Sequence, residues 1–203
     1  MSSKKIALIE SGTYYHYFAM NDERFVKDFD EIIYAPNLAK TSLDKFDVVI
    51  VADRNHLKYL IENKNKLSDF AKNGGTLCVL GENSVERWIE GVNYVPTDTN
   101  FWWWLDPNDD IGYKQPDVTH PFFENMKFQE CKWHYHGVYD PSKNAVRIIE
   151  RLDENGGGAI LYEESFGKGK LIITTLDPFF HTGSNFMPNA GKFLAGILAW
   201  LKR

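Results

Sequence analysis

The stretch Lys72-Asn-Gly-Gly-Thr-Leu-Cys-Val-Leu-Gly-Glu-Asn-Ser84 decides how this chain is read, because a helix stop, a buried strand and a sharp turn follow one another within it. Gly74 and Gly75 come after the amphipathic run Leu57–Phe70, where a left-handed helix cap is needed. Thr76–Leu80 is short and apolar, as suits a strand covered on both faces. Gly81 permits an abrupt turn, and Ser84 is placed to cap a helix carried by Val85, Trp88 and Ile89. In open α/β sheets ligands sit outside the carboxyl ends of the strands, and elbows of this kind present nucleophiles in several hydrolases. Here the elbow holds Gly81, Glu82 and Asn83.

Toward the amino terminus the same grammar repeats. Lys5–Glu10, Glu31–Tyr34 and Asp47–Ala52 read as strands. A short helix is expected over Asp22–Asp28, Pro36 ends the second strand, and Leu57, Leu60, Ile61, Leu67 and Phe70 recur at helical spacing. The alternation predicts an α/β fold: a flavodoxin-like, doubly wound, mostly parallel sheet in a single domain spanning 1–203. Its strands should include Ile6–Ile9, Ile32–Tyr34, Val48–Val51, Leu77–Leu80 and Leu171–Thr175, with helices on both faces. The first crevice loop, Ser11–His16, has one glycine and no G-x-G-x-x-G, so no dinucleotide fingerprint is present and no cofactor is named.

Beyond Ile89 the character changes. An aromatic-rich insertion of about 92–145 contains Asn100-Phe-Trp-Trp-Trp-Leu-Asp-Pro107. In a strand Trp102 and Trp104 would share a face opposite Trp103. The rings either plug the core or a homodimer contact, or form a stacking platform for a ligand. Cys131–Asp140 alternates as a strand with His134 and His136 on one face. That pair is a metal edge lacking a third local ligand or a hydrogen-bonded structural pair, and no metal is assigned. Ala145–Leu152 and Ala159–Glu164 read as strands joined through Asp153–Gly158. Phe166-Gly-Lys-Gly169 makes a hairpin into Lys170–Leu176, and Ala190–Leu201 closes the chain as an amphipathic helix.

Composition bounds the partners. A chain of 203 residues with 43% hydrophobic content can bury one sizeable core. A net charge of −5, with no clustered Lys or Arg, argues against nucleic acid and anionic membranes. No apolar run approaches the ~18 residues of a membrane span, and Met1–Lys5 leads straight into a strand, so a cytoplasmic protein is expected. Cys78 and Cys131 have no disulfide or zinc spacing and read as reduced thiols.

Phe70-Ala-Lys-Asn-Gly-Gly-Thr-Leu-Cys-Val-Leu-Gly81, Thr119-His-Pro-Phe122, Phe166-Gly-Lys-Gly-Lys-Leu-Ile-Ile-Thr-Thr-Leu176 and the closing Gly196-Ile-Leu-Ala-Trp200 together resemble the class I glutamine amidotransferase-like superfamily. The trehalose-utilisation (ThuA-like) branch is the nearest match. The resemblance implies a cysteine on the elbow and a histidine after the last sheet strand. This chain carries Glu82 on the elbow, with Cys78 inside the strand, and His181 after the last strand without the family's His-x-Glu. Glutaminase chemistry, which needs an activated thiolate, is therefore not expected.

Strand-end polar residues remain as the candidate site. Glu82 and His181 are the candidate catalytic pair. Glu10, His16, Asp53, Asn83, Trp102, Trp104 and Asp177 are candidate ligand contacts. Paired carboxylates can divide acid and base roles, although strand-end acids also cap helices. Three functions stay open: a non-glutaminase module binding a small, carbohydrate-like ligand, a hydrolase or isomerase of such a molecule using Glu82 and His181, and a structural or assembly subunit.

Overall fold

The computed structural model describes residues 4–99, 101–105, 111–152 and 157–203. Five strands carry the parallel part of the sheet: β1 (Ile6–Glu10), β2 (Glu31–Tyr34), β3 (Val48–Val51), β4 (Thr76–Val79) and a late strand, Gly169–Thr174, which is β10 in chain order. Their spatial order is β2-β1-β3-β4-β10, every neighbouring pair being parallel. This is the flavodoxin-like order of a doubly wound sheet. The remaining strands extend the sheet antiparallel: β5 (Tyr94–Pro96), β6 (Tyr113–Lys114), β7 (Gly137–Tyr139), β8 (Val146–Arg151) and β9 (Gly158–Phe166). Among the described residues the result is a mixed sheet of ten strands.

Side-chain alternation sorts the apolar strands into two cores. Ile6, Leu8, Val48, Ile50, Cys78 and Ile172 face one layer, where α5 (Pro188–Leu201) supplies Phe193, Leu194 and Ile197. Ala7, Ile9, Val49, Val51, Leu77 and Ile173 face the other, covered by α2 (Leu57–Glu62) and α3 (Lys64–Lys72) through Leu60, Leu67 and Ala71. Two further helices, α1 (Tyr14–Met20) and α4 (Pro178–Gly183), pack together beside the carboxyl edge.

Four local expectations are corrected. The helix expected from Leu57 to Phe70 breaks at Asn63 (φ −110°), whose side chain hydrogen-bonds Tyr59 O at 2.9 Å and competes with the helical backbone. Ser84 does not cap a helix: it is left-handed (φ 45°), makes no side-chain cap bond, and precedes only the 3-10 turn Val85–Arg87. The helix placed at Asp22–Asp28 is a 3-10 turn over Val26–Asp28, while Tyr14–Met20 is helical behind Thr13, whose hydroxyl accepts from His16 N at 3.4 Å. The strand expected over Cys131–Asp140 shrinks to Gly137–Tyr139, since the Tyr113 hydroxyl takes the carbonyls of Cys131 and Trp133.

Candidate functional site

The carboxyl ends of β1, β3, β4 and β10 converge on one edge, and asparagines stitch it together. Asn83 donates to Ala52 O and Leu80 O, each at 2.8 Å, and accepts from Asn55 N at 2.9 Å. Asn55 in turn donates to Ile9 O at 3.0 Å. Gly81 (φ +61°) makes the elbow because a Cβ there would lie 2.4 Å from Asp53 Cβ and 2.9 Å from Asp177 Cβ. Only glycine brings the two acids so near the turn.

The two buried acids play different parts. Asp53 accepts from Phe179 N (2.6 Å) and Phe180 N (3.0 Å), so it caps α4 from another element. Burial raises its pKa well above the usual carboxylate range, and the neighbouring charge of Asp177 adds to this. Asp177 is equally buried, which alone would raise its pKa, yet His181 and Arg54 hold it below the ordinary value. Arg54 donates to Asp177 Oδ2 through Nη2 (2.8 Å) and Nε (3.2 Å), and its guanidinium lies 4.0 Å above the Phe180 ring. We therefore assign the negative charge of the pair to Asp177.

Around Asp177 stand three histidines. His181 Nε2 is 3.2 Å from Asp177 Oδ1 and 3.2 Å from His134 Nε2. His136 Nδ1 is 2.8 Å from Glu82 Oε1, and its Nε2 is 3.9 Å from Asp177 Oδ2. That contact with His136 lowers the pKa of Glu82 against partial burial, with the charges of His136 and Arg54 helping. Burial, then the charge of His181, brings His134 down to about 4. Phe101 roofs the group, its ring 5.0 Å from both His134 and His136.

Glu82 and His181 thus belong to one network, linked through His136, Asp177 and Arg54 rather than in direct contact. The other sequence candidates are placed as follows. Glu10 is buried and accepts from Gly12 N at 2.6 Å. His16 is fully buried: its Nε2 donates to Asp53 O at 2.7 Å, Nδ1 accepts from Ser11 N, and burial holds its pKa at about 4. Trp102 is exposed, and the side chain of Trp104 lies outside the described residues. Phe101, within the aromatic run, provides an aromatic wall at the histidines.

Beside the elbow a cleft of about 250 Å³ is lined by Glu82, Asn83, Ser84, Glu86, Tyr94 and Tyr139. Burial, then the charges of Glu82 and Glu86, pushes the Tyr94 hydroxyl up to about 12, so it stays protonated. A larger cleft of about 760 Å³ opens at the opposite edge, between Ser42 and Thr76, far from this cluster. We place the candidate site at the smaller one, where Glu82 joins the cleft to the buried cluster and Glu82 and Tyr94 both depart from their ordinary pKa values.

No family model matches the chain, and no curated protein matches it in sequence. Solved structures do. A cytoplasmic protein of Salmonella typhimurium LT2 superposes over 98% of this chain and 100% of its own, with a TM-score of 0.60 at 15% identity. A ThuA-like protein of Bacteroides uniformis covers 98% of this chain and 91% of its own (TM-score 0.54, 10% identity). A β-galactosidase of Bacillus circulans matches 98% of this chain over 30% of the enzyme (TM-score 0.52, 16% identity). What these proteins share with this chain is the fold. Among the described residues no helix is long and apolar enough to cross a membrane.

Arg54, Asn55 and Tyr94 escaped the sequence reading. Arg54 directly follows Asp53 at a strand end, which was a usable signal, but its partner lies 123 positions away. Cys78 and Cys131 are buried, and burial pushes both thiols far up in pKa.

Proposed function

We propose that this chain is a non-glutaminase, amidotransferase-like protein of the ThuA-like branch, one domain acting in the cytoplasm, that binds a small neutral, carbohydrate-like ligand beside the elbow. The observation that carries the reading is the composition of the elbow cleft. Glu82 and Glu86 offer acceptors to hydroxyl groups, Ser84 and Tyr94 offer both donors and acceptors, and the half-buried Tyr94 ring offers a face to the C–H side of a sugar. Two carboxylates at the rim disfavour an anionic ligand. The ThuA-like and β-galactosidase neighbours point the same way, as does the label of the Salmonella protein for the compartment.

Melting curves recorded with glucose- and galactose-based disaccharides test it, since a ligand bound only by the folded state raises the melting temperature. Glu82→Gln should reduce that rise while leaving the unliganded melting temperature nearly unchanged, because Glu82 is exposed. No response to any sugar, or an equal response in the variant, contradicts the proposal.

A second reading, a hydrolase or isomerase of the same ligand class, is favoured by the 2.8 Å contact between His136 and Glu82. That pair can pass a proton where the sequence had paired Glu82 with His181. Its mark is a changed sugar in the product mixture that both Glu82→Gln and His136→Gln abolish.

A further inference from the structure

His134 Nε2, His181 Nε2 and Asp177 Oδ1 meet in the interior with too few protons to satisfy one another. The two nitrogens are 3.2 Å apart, Oδ1 lies 3.2 Å from His181 Nε2, and the ligand atoms of the three residues all lie within 4.8 Å of one another. If His181 Nε2 carries a hydrogen, that hydrogen serves either the carboxylate or His134. If His134 carries it, the carboxylate faces a lone pair. Asp177 Oδ1 makes no hydrogen bond here, and neither do the outer nitrogens His134 Nδ1 and His181 Nδ1. Buried polar atoms left this way are destabilising unless something else completes them.

A cation completes the three inward atoms, His134 Nε2, His181 Nε2 and Asp177 Oδ1, at once. With each Nδ1 protonated, both Nε2 lone pairs point inward beside an ionised carboxylate. Metal–ligand distances of ~2.0–2.1 Å in a tetrahedron set ligand atoms about 3.3 Å apart, close to the two 3.2 Å separations. The surroundings fit as well. Arg54 occupies Asp177 Oδ2 and so aims Oδ1 at the histidines, the outer-sphere orientation that metal ligands need. His136 gives Nδ1 to Glu82 and keeps a buried, unpartnered Nε2 near the same carboxylate.

We propose that His134, His181 and Asp177 form a divalent transition-metal site, with Zn²⁺ the ion that fits two imidazoles and one carboxylate and with a fourth position open. Nitrogen donors disfavour Ca²⁺ and Mg²⁺, which take oxygen ligands. Three protein ligands with one open position is the pattern of a working site rather than a closed structural one. The inference stands apart from the carbohydrate reading, since the metal is measured without any sugar.

The test uses the full, untagged chain, stripped with a chelator and titrated with Zn²⁺ against a colorimetric competitor. The expected result is a single tight Zn²⁺ equivalent per chain. His134→Gln and His181→Gln should each weaken binding by more than the ~10–100-fold typical of losing an outer-sphere partner. His56→Gln, an exposed histidine elsewhere, should bind as the wild type does. X-ray absorption of the wild type carrying one Zn²⁺ needs no variant and should show two imidazole shells. Absence of a stoichiometric Zn²⁺ site, affinity unchanged in both folded variants, or sulfur scattering at the bound metal would each overturn the proposal.

Discussion

The two edges of the sheet are built from the same strands and treat polar groups in opposite ways. At the amino edge charged side chains are answered by backbone groups near solvent. Asp47 accepts from Lys5 N at 2.7 Å, and Lys66 Nζ donates to the carbonyls of Leu38, Ala39 and Thr41 at 2.7–3.0 Å. At the carboxyl edge Asp53, Asp177, His134 and His181 are buried, and several of their polar atoms have no protein partner. The amino edge has the greater cleft volume, while the carboxyl edge has the unfinished chemistry. Function is expected where the fold tolerates incompletely paired polar groups, because desolvation makes such groups destabilising unless a bound species answers them.

The contrast can be broken first at its acids. Asp53→Ala strands the backbone N–H groups of Phe179 and Phe180 at the start of α4, and a buried donor left without an acceptor costs ~1–3 kcal/mol. Urea denaturation should show a loss of about 3 kcal/mol or more. Asp47→Ala removes one exposed bond and should lose about 1 kcal/mol. Equal losses at the two edges would erase the distinction.

Acid should act on the carboxyl edge through its histidines. His16 and His134 titrate at about 4 in the folded chain against 6.5 ordinarily. Between those values the unfolded chain binds more protons, so stability falls as pH drops from 6.5 toward 4, by on the order of 3 kcal/mol per histidine. Glu10 and Asp53, both raised by burial, act in the opposite sense. The clean readout is therefore the stability difference between wild type and His16→Gln, which should shrink as pH falls through this window. A flat difference would contradict the burial of a neutral His16.

The smallest effect is a near absence of reaction. Cys78 lies in the core with its thiol pushed up by burial, so a thiol reagent should label the native chain far more slowly than the urea-unfolded chain. Fast native labelling together with glutamine hydrolysis would restore the thiol chemistry that the elbow here lacks.

The parallel sheet was legible because its strands are short, uninterrupted apolar runs, and Val48–Val51 and Leu77–Val79 are buried throughout. Strand-end acids were legible by position. Their partners were not, because they are fixed by long-range closure: Asp53 meets Phe179 across 126 positions, and His134 meets His181 across 47. The aromatic run meets the same limit. Nothing local tells Phe101, which covers the histidines, from the exposed Trp102 beside it.

The central claim, that the carboxyl edge is where this protein meets its ligand, is tested most directly by backbone amide shift mapping during titration with galactose- and glucose-based disaccharides. The account predicts perturbations clustered at Glu82, Ser84, Glu86 and Tyr94, with the amides from Ser42 to Asp47 and from Asp69 to Thr76 unmoved. Perturbations confined to that amino-edge cleft, or none with any sugar, would contradict it.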